Sequence, residues 1–379
     1  MEPSEPAFAE PLHVGRPNIG DRGQFLADVE AALDRRWLTN DGPFVRELET
    51  RIARLLGVRH CVATANGTVA LEIAIRALGL SGEVIVPSFT FVATAHALQW
   101  QGITPVFVDI DPVTHCLDPD AVRRAITPNT SGIIAVHLWG RGAPARELQA
   151  IADEFGLQLM FDAAHAFGAS IGPDMIGTFG RAEVLSFHAT KFFNTLEGGA
   201  IVTNDDDVAA QARLMRNFGF AGDDNVISVG TNGKMNEICA AMGLANLASL
   251  DEVIAANREN YEAYSTELSG VEGVSLLPMG QSGTSNFQYV VMLIDDTAAV
   301  TRDHVVATLR RNNVLARRYF WPGCHRMEPY ITLYPTAGDQ LPYTERVAEQ
   351  VIVLPTGTAV NRDDIHVIAR LVRDVATRV

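Results

Sequence analysis

Residues 157–165 read LQLMFDAAH. Apart from Gln158 the run up to Phe161 is apolar on both sides of the chain, so the strand it forms must be covered on both faces. The run ends in Asp162, which puts a carboxylate at the strand's carboxyl edge. Similar runs flank it at 83–88 (EVIVPS), 104–110 (TPVFVDI), 132–138 (GIIAVHL), 183–188 (EVLSFH) and 200–204 (AIVTN), with a shorter one at 60–65. Helical patterns lie between them. Val45, Leu48, Ile52, Leu55 and Leu56 recur at helical spacing and Gly57 stops that helix. Gly67-Thr68 opens another, with Leu71, Ile73, Ala74 and Leu78 on one side, and 90–101 reads as a third. Buried strands alternating with helices predict a mostly parallel sheet with helices on both faces, an α/β fold. Ligands of such sheets bind at the carboxyl ends of the strands.

Beyond Asn236, residues 236–268 form one long helical stretch with few breakers, suited to joining two domains. The remainder has the mixed pattern of a smaller α+β domain. The expected organisation is a loose N-terminal arm rich in Pro and Glu (1–14), a large domain (15–250) and a small C-terminal domain (251–379).

Composition narrows the function classes. Apolar residues are 47% and charged residues 20%, too apolar for disorder and too polar for a membrane bundle. The net charge of -15 gives no general attraction to nucleic acid or anionic lipid, so a bound phosphate must be held by local geometry. No apolar run approaches the ~18 residues of a spanning helix, and no signal segment is visible at the N-terminus. Cys61, Cys116, Cys239 and Cys324 form no CxxC, as expected of reduced thiols in a cytoplasmic protein. The histidines show no metal-ligand spacing, and no metal is expected.

Four strand ends carry chemistry together. Asn66-Gly67-Thr68 turns a strand into a helix and offers backbone N–H groups and a hydroxyl to a phosphate, although the same residues also make an ordinary helix cap. Asp162 is a carboxylate in need of a donor or cation, which a protonated pyridine nitrogen would supply. His165, three residues on, can orient a ligand oxygen or fill a polar gap. In 186–191 (SFHATK), Ser186 can donate to a phosphate, and Lys191 can reach the cleft and form a Schiff base with an aldehyde. In 87–91 (PSFTF), a ring just past a strand can stack on a planar cofactor or sit in the core. A phosphate cradle, a partner for a ring nitrogen, a stacking ring and a Schiff-base lysine are the set that pyridoxal 5′-phosphate (PLP) needs.

The same segments, with 37–49 (WLTNDGPFVRELE), 63–71 (ATANGTVAL), 84–97 (VIVPSFTFVATAHA), 105–111 (PVFVDID), 161–169 (FDAAHAFGA), 197–205 (EGGAIVTND) and 234–247 (KMNEICAAMGLANL), resemble the DegT/StrS family of nucleotide-sugar aminotransferases within the fold-type-I PLP enzymes. The resemblance implies an aspartate-aminotransferase-like fold and a homodimer with shared active sites. It implies that Lys191 carries PLP and shuttles the proton, that Asp162 pairs with the ring N–H, and that His165 lies near the ring's phenolic oxygen. Gly67, Thr68 and Ser186 would hold the phosphate and Phe91 would stack. In 230–237 (GTNGKMNE) the family's Tyr, Tyr and Arg are replaced by Thr231, Gly233 and Lys234, leaving open whether Asn232 or Lys234 reaches the neighbouring subunit's phosphate. For the sugar, Thr39 within 37–40, Trp139, His188, Arg317, Tyr319 and His325 are candidates. Trp139 fits the core equally well.

The resemblance is closest to enzymes that aminate a dTDP-linked 4-keto-6-deoxyhexose. Lysine at 191, where dehydratase relatives carry histidine, favours transamination. The segment from Phe187 to Lys191 followed by Glu197 to Ala200 favours sugar C4. The expected reaction is transfer of an amino group from L-glutamate to dTDP-4-keto-6-deoxyglucose, in deoxyamino-sugar biosynthesis. The alternatives are amination at C3 of a 3-keto isomer, and a PLP-binding regulator without turnover.

Overall fold

The computed structural model describes residues 5–280 and 283–376. Seven strands form the main sheet: β1 (His60–Thr64), β2 (Glu83–Pro87), β3 (Thr104–Val108), β4 (Thr130–Val136), β5 (Gln158–Asp162), β6 (Ala182–Ser186) and β7 (Gly199–Thr203). Their order across the sheet is β1-β7-β6-β5-β4-β2-β3. All run parallel except β7, which pairs antiparallel with both β1 and β6. The expected mostly parallel α/β sheet is therefore present. The reversal of β7 follows from its short connection: only twelve residues, 187–198, separate it from β6, and they contain no helix to make a parallel crossover.

Apolar side chains on both faces of these strands are fully buried, among them Ile85, Ile133, Leu159, Phe161, Leu185 and Ile201. Helices cover the sheet as the patterns predict. Helix Pro43–Leu56 buries Val45, Leu48, Ile52 and Leu56, and helix Gly67–Ala77 buries Leu71, Ile73 and Ala74. A second sheet, antiparallel, comprises Val274–Leu276, Val290–Ile294 and Val351–Leu354 in that order, backed by helices Arg302–Arg311 and Arg362–Ala376.

Three local readings are corrected. The helix expected over 90–101 spans Ala93–Gln99, because Ser88 to Phe91 form a turn off β2. The long helix expected from 236 to 268 is two helices, Glu237–Ala248 and Leu250–Glu267, bent by 63°. The arm is not loose over its described length. Ala7 donates to Asn312 Oδ1, Phe8 accepts from Asn313, and Leu12–His13 pairs parallel with Val314–Leu315. Residues 1–4 lie outside the described residues.

The start of helix Pro43–Leu56 shows how distant segments complete one another. Gly42 has no side chain to cap it and Pro43 has no N–H. The N–H groups of Phe44 and Val45, each 2.9 Å away, are taken by Glu237, a fully buried carboxylate from another helix. Arg35 adds its guanidinium at 3.7 Å. Removing this carboxylate strands two buried donors. Glu237→Ala is expected to destabilise the fold by about 2–3 kcal/mol, read as a lower urea midpoint in unfolding of purified protein. Glu237→Gln, which keeps one acceptor, is expected to cost less.

Candidate active site

The carboxyl ends of β1, β2, β5 and β6 open onto one cavity of about 610 Å³, closed on its far side by Tyr289, Tyr319 and Phe320 from the C-terminal part of the chain. Gly67, Thr68, Phe91, Asp162, His165, Ser186, His188, Lys191 and Tyr319 all border it. Residues as far apart in sequence as Asn66 and Phe320 thus meet at one place, as the strand-end rule predicts.

The helix Gly67–Ala77 points its N-terminus into the cavity. Asn66 caps it by accepting from Val69 N–H at 2.9 Å, while the N–H groups of Gly67 and Thr68 precede any intrahelical acceptor. An added Cβ at residue 67 would stand 3.0 Å from Ser186 Cβ, so glycine keeps open the gap between the helix end and the serine. The cavity at this helix end, bordered by Gly67, Thr68 and Ser186, offers backbone donors and two hydroxyls to a small anion.

Asp162 is buried at the end of β5. Thr94 donates to Oδ2 at 2.8 Å and Ala164 N–H to Oδ1 at 3.1 Å. Burial raises its pKa above the usual carboxylate value, offset in part by those two donors and by the charges of Lys191 and His137. Lys191 sits across the cavity, 3.4 Å from Tyr289 Oη. Burial lowers its pKa to about 8, against the opposing pull of Asp162 and Tyr319. Only two lysines occur among the thirty cationic side chains, Lys191 and Lys234. His165 lies flat against Phe320, 5.7 Å between ring centres, and burial followed by the Lys191 charge holds its pKa well below the ordinary value. It is therefore a neutral imidazole at pH 7.

The two candidate aromatic rings separate cleanly. Phe89 is 1% exposed and packs edge-on against Trp139 and Phe320, whereas Phe91 is 56% exposed at the cavity. Trp139 is fully buried, so it belongs to the core. Arg317 does not border the main cavity. It lies over Tyr319, 5.2 Å from the ring centre, in an adjoining groove of about 350 Å³ with Arg310, Arg318 and Trp321. The groove and the cavity share Thr90, Phe91, Tyr319 and Phe320.

His325 is a correction. It is buried with Nδ1 2.7 Å from Ser88 Oγ and Nε2 2.7 Å from Glu345 Oε1, which leaves neither nitrogen for a ligand. It ties the 320–326 segment to the end of β2. Thr39 lies in an exposed loop away from the cavity, where its carbonyl accepts from Trp37 Nε1. Asn232 is exposed, and Lys234 donates to Asn217 beneath the Phe218 ring. Neither borders this chain's own cavity.

Tyr289, Glu197 and Thr94 are site residues that the sequence reading missed. Glu197 borders the cavity with its carboxylate 3.5 Å from His188 Nε2. Tyr289 sits beside a strand like any buried tyrosine, and Thr94 inside a helix like any small residue. Only the strand-end position of Glu197, just ahead of β7, was a usable signal.

Lys191 is expected to behave as an amine half-neutral at about pH 8. In cofactor-free protein its acylation rate should rise about tenfold per pH unit up to that point and then level off. Asp162→Asn removes the charge that supports the ammonium and should move this titration lower. Mass spectrometry of the two lysine peptides reads both effects, and a Lys191 titration near 10.5 would contradict them.

Comparison with known proteins agrees with this geometry. The model of the DegT/DnrJ/EryC1/StrS aminotransferase family matches residues 20–373. An Escherichia coli dTDP-4-amino-4,6-dideoxy-D-glucose transaminase is 37% identical over 361 residues, covering 95% of this chain and 97% of its own. A GDP-perosamine synthase of Caulobacter vibrioides is 36% identical, covering 90% of this chain and 93% of its own. Among solved structures, DesI, crystallised in the presence of its TDP-sugar product, superposes with a TM-score of 0.93 at 49% identity, covering 98% of this chain and 95% of that one. With the family model, a curated relative and a solved structure each matching nearly its full length, the chain belongs to the DegT/DnrJ/EryC1/StrS aminotransferase family.

Proposed function

We propose that this protein transfers the amino group of L-glutamate to C4 of a nucleotide-linked 4-keto-6-deoxyhexose, dTDP-4-keto-6-deoxyglucose, with PLP bound in the strand-end cavity. The observation that carries the reading is a single lysine amine of lowered pKa in a cavity that also holds a buried carboxylate and a helix N-terminus. The transaminase and sugar-product relatives support the substrate class.

The residues present fit PLP. Its phosphate matches the gap among Gly67, Thr68 and Ser186, its ring nitrogen matches Asp162, its face matches Phe91, and its aldehyde matches Lys191. PLP supplies an aldehyde that accepts the amino group and a ring that delocalises negative charge. Lys191 would anchor it. Its amine, with a pKa lowered to about 8, would be neutral often enough to take the substrate's proton and return it. Asp162, held by Thr94 and Ala164, would keep the ring nitrogen protonated. His165, neutral and held flat by Phe320, would orient the ring oxygen without adding charge.

The adjoining groove suits the nucleoside diphosphate. Arg317 is not consumed by an ion pair among the described residues, while Arg318 is partly engaged with Asp303 at 3.0 Å. Phe91, Tyr319 and Trp321 offer faces to a base. His188 and Glu197 stand at the cavity and can meet sugar hydroxyls. The division at residues 14 and 250 belongs to this reading, as does a homodimer. Phe218, Phe220, Val226, Ile227 and Val229 are exposed on the loop that carries Asn232 and Lys234, an apolar surface suited to a second copy of the chain. Asn232 or Lys234 would then serve the partner's phosphate. Four unpaired, buried thiols suit a cytoplasmic setting.

The test is product NMR after incubation with L-glutamate and dTDP-4-keto-6-deoxyglucose. The expected product carries nitrogen at C4, and Lys191→Ala should lower its formation by about a thousandfold or more. Nitrogen at C3, or retained turnover in Lys191→Ala, would overturn the reading.

A further inference from the structure

Thr94 lies in the first turn of helix Ala93–Gln99 and is fully buried. A threonine inside a helix commonly returns its hydroxyl to the carbonyl of residue i−4. Here the hydroxyl turns away and donates to Asp162 Oδ2 at 2.8 Å. Thr90 Oγ1 lies 3.1 Å from Thr94 Oγ1, and Thr90 is also buried while bordering the cavity. A hydroxyl has one proton. Thr94 commits its proton to Asp162, so the Thr90–Thr94 contact must run from Thr90. The result is a directed chain, Thr90 to Thr94 to Asp162, whose direction is fixed only when Asp162 is ionised. Thr90 is itself pinned, since its carbonyl accepts from Cys324 Sγ at 3.4 Å and its N–H donates to Ser88.

Burial disfavours the charged form of Asp162, and the donated hydrogen bonds oppose that shift. The other groups acting on it are Lys191 and His137 through charge and Ala164 through its N–H. Of the side chains, only Thr94 touches a carboxylate oxygen directly among the described residues.

We propose that Thr94, aligned by Thr90, is a positioning residue that holds Asp162 as an oriented carboxylate for the ring nitrogen of the cofactor. The proposal rests on the PLP reading given above. It concerns a residue that does not border the cavity and reaches it through Asp162, so its effect should pass through the ring nitrogen.

A cofactor analogue isolates that route. 1-Deaza-pyridoxal 5′-phosphate has C–H in place of the ring nitrogen and keeps the aldehyde and phosphate. Affinities of the cofactor-free, full-length protein for PLP and for the analogue are measured by fluorescence titration for wild type, Thr94→Val and Thr94→Ser. Thr94→Val is close to isosteric and lacks only the hydroxyl. It should weaken PLP binding by about tenfold, the effect of one lost hydrogen bond to a charged group, and leave analogue binding unchanged. Thr94→Ser should retain the wild-type ratio. Equal weakening of both ligands by Thr94→Val, or no change in either, overturns the proposal and leaves the PLP reading standing. Loss of the ratio in Thr94→Ser overturns it as well. If wild type binds neither ligand, the PLP reading itself fails. Should Thr94→Val not fold, Thr90→Val gives the same comparison one link further out, with a smaller loss of PLP affinity expected and an unchanged ratio counting against the proposal.

Discussion

Lys191 and Asp162 border one cavity, and burial pushes their proton affinities in opposite directions. The lysine is moved toward its neutral form and the aspartate toward its neutral acid. Their mutual attraction works against both shifts but does not overcome them, as expected where desolvation exceeds the Coulombic gain. Much of the surrounding architecture serves this balance. β5 and β6 deliver the two groups to the same sheet edge, Thr94 and Ala164 support the carboxylate, and Tyr289, Tyr319 and Phe320 close the far wall. The His325 contacts with Ser88 and Glu345 lock that wall to the end of β2.

The distribution of cations carries the same message. Every cationic side chain except Lys191 and Lys234 is an arginine. Guanidinium cannot give up its proton in a protein and cannot act as a nucleophile or proton carrier. A chain that otherwise uses arginine throughout has lysine in the strand-end cavity, where burial eases loss of its proton. The second lysine lies against the Phe218 ring, outside that cavity. The net charge of -15 is no obstacle to an anionic substrate, because the donors at the helix N-terminus and the arginine groove act at contact distance.

The parts of the fold legible in the sequence were those set by local pattern. Continuous apolar runs marked the parallel strands, helical periodicity marked the Pro43–Leu56 and Gly67–Ala77 faces, and the residues after each run marked the cavity. What escaped was set by tertiary contact. The reversal of β7 depends on the length of a connection, and the 63° bend after Ala248 on what each half of the stretch packs against. His325 looked like a ligand because a histidine beside Arg317 and Tyr319 is chemically apt. Two partners distant in sequence, Ser88 and Glu345, turned it into a tie. Tyr289 and Thr94 carry no local signature, since their roles exist only through Lys191 and Asp162.

In the proposed reaction Lys191, and no other amine, anchors the cofactor and gives it up to the amino donor. Borohydride reduction of the PLP-loaded protein followed by peptide mapping tests it directly, since Lys234 and the N-terminus are the only competing amines. The expected result is a pyridoxyl group on Lys191 alone, lost when L-glutamate is added before the borohydride. A label on Lys234 or the N-terminus, no label at all, or a Lys191 label indifferent to L-glutamate would contradict it.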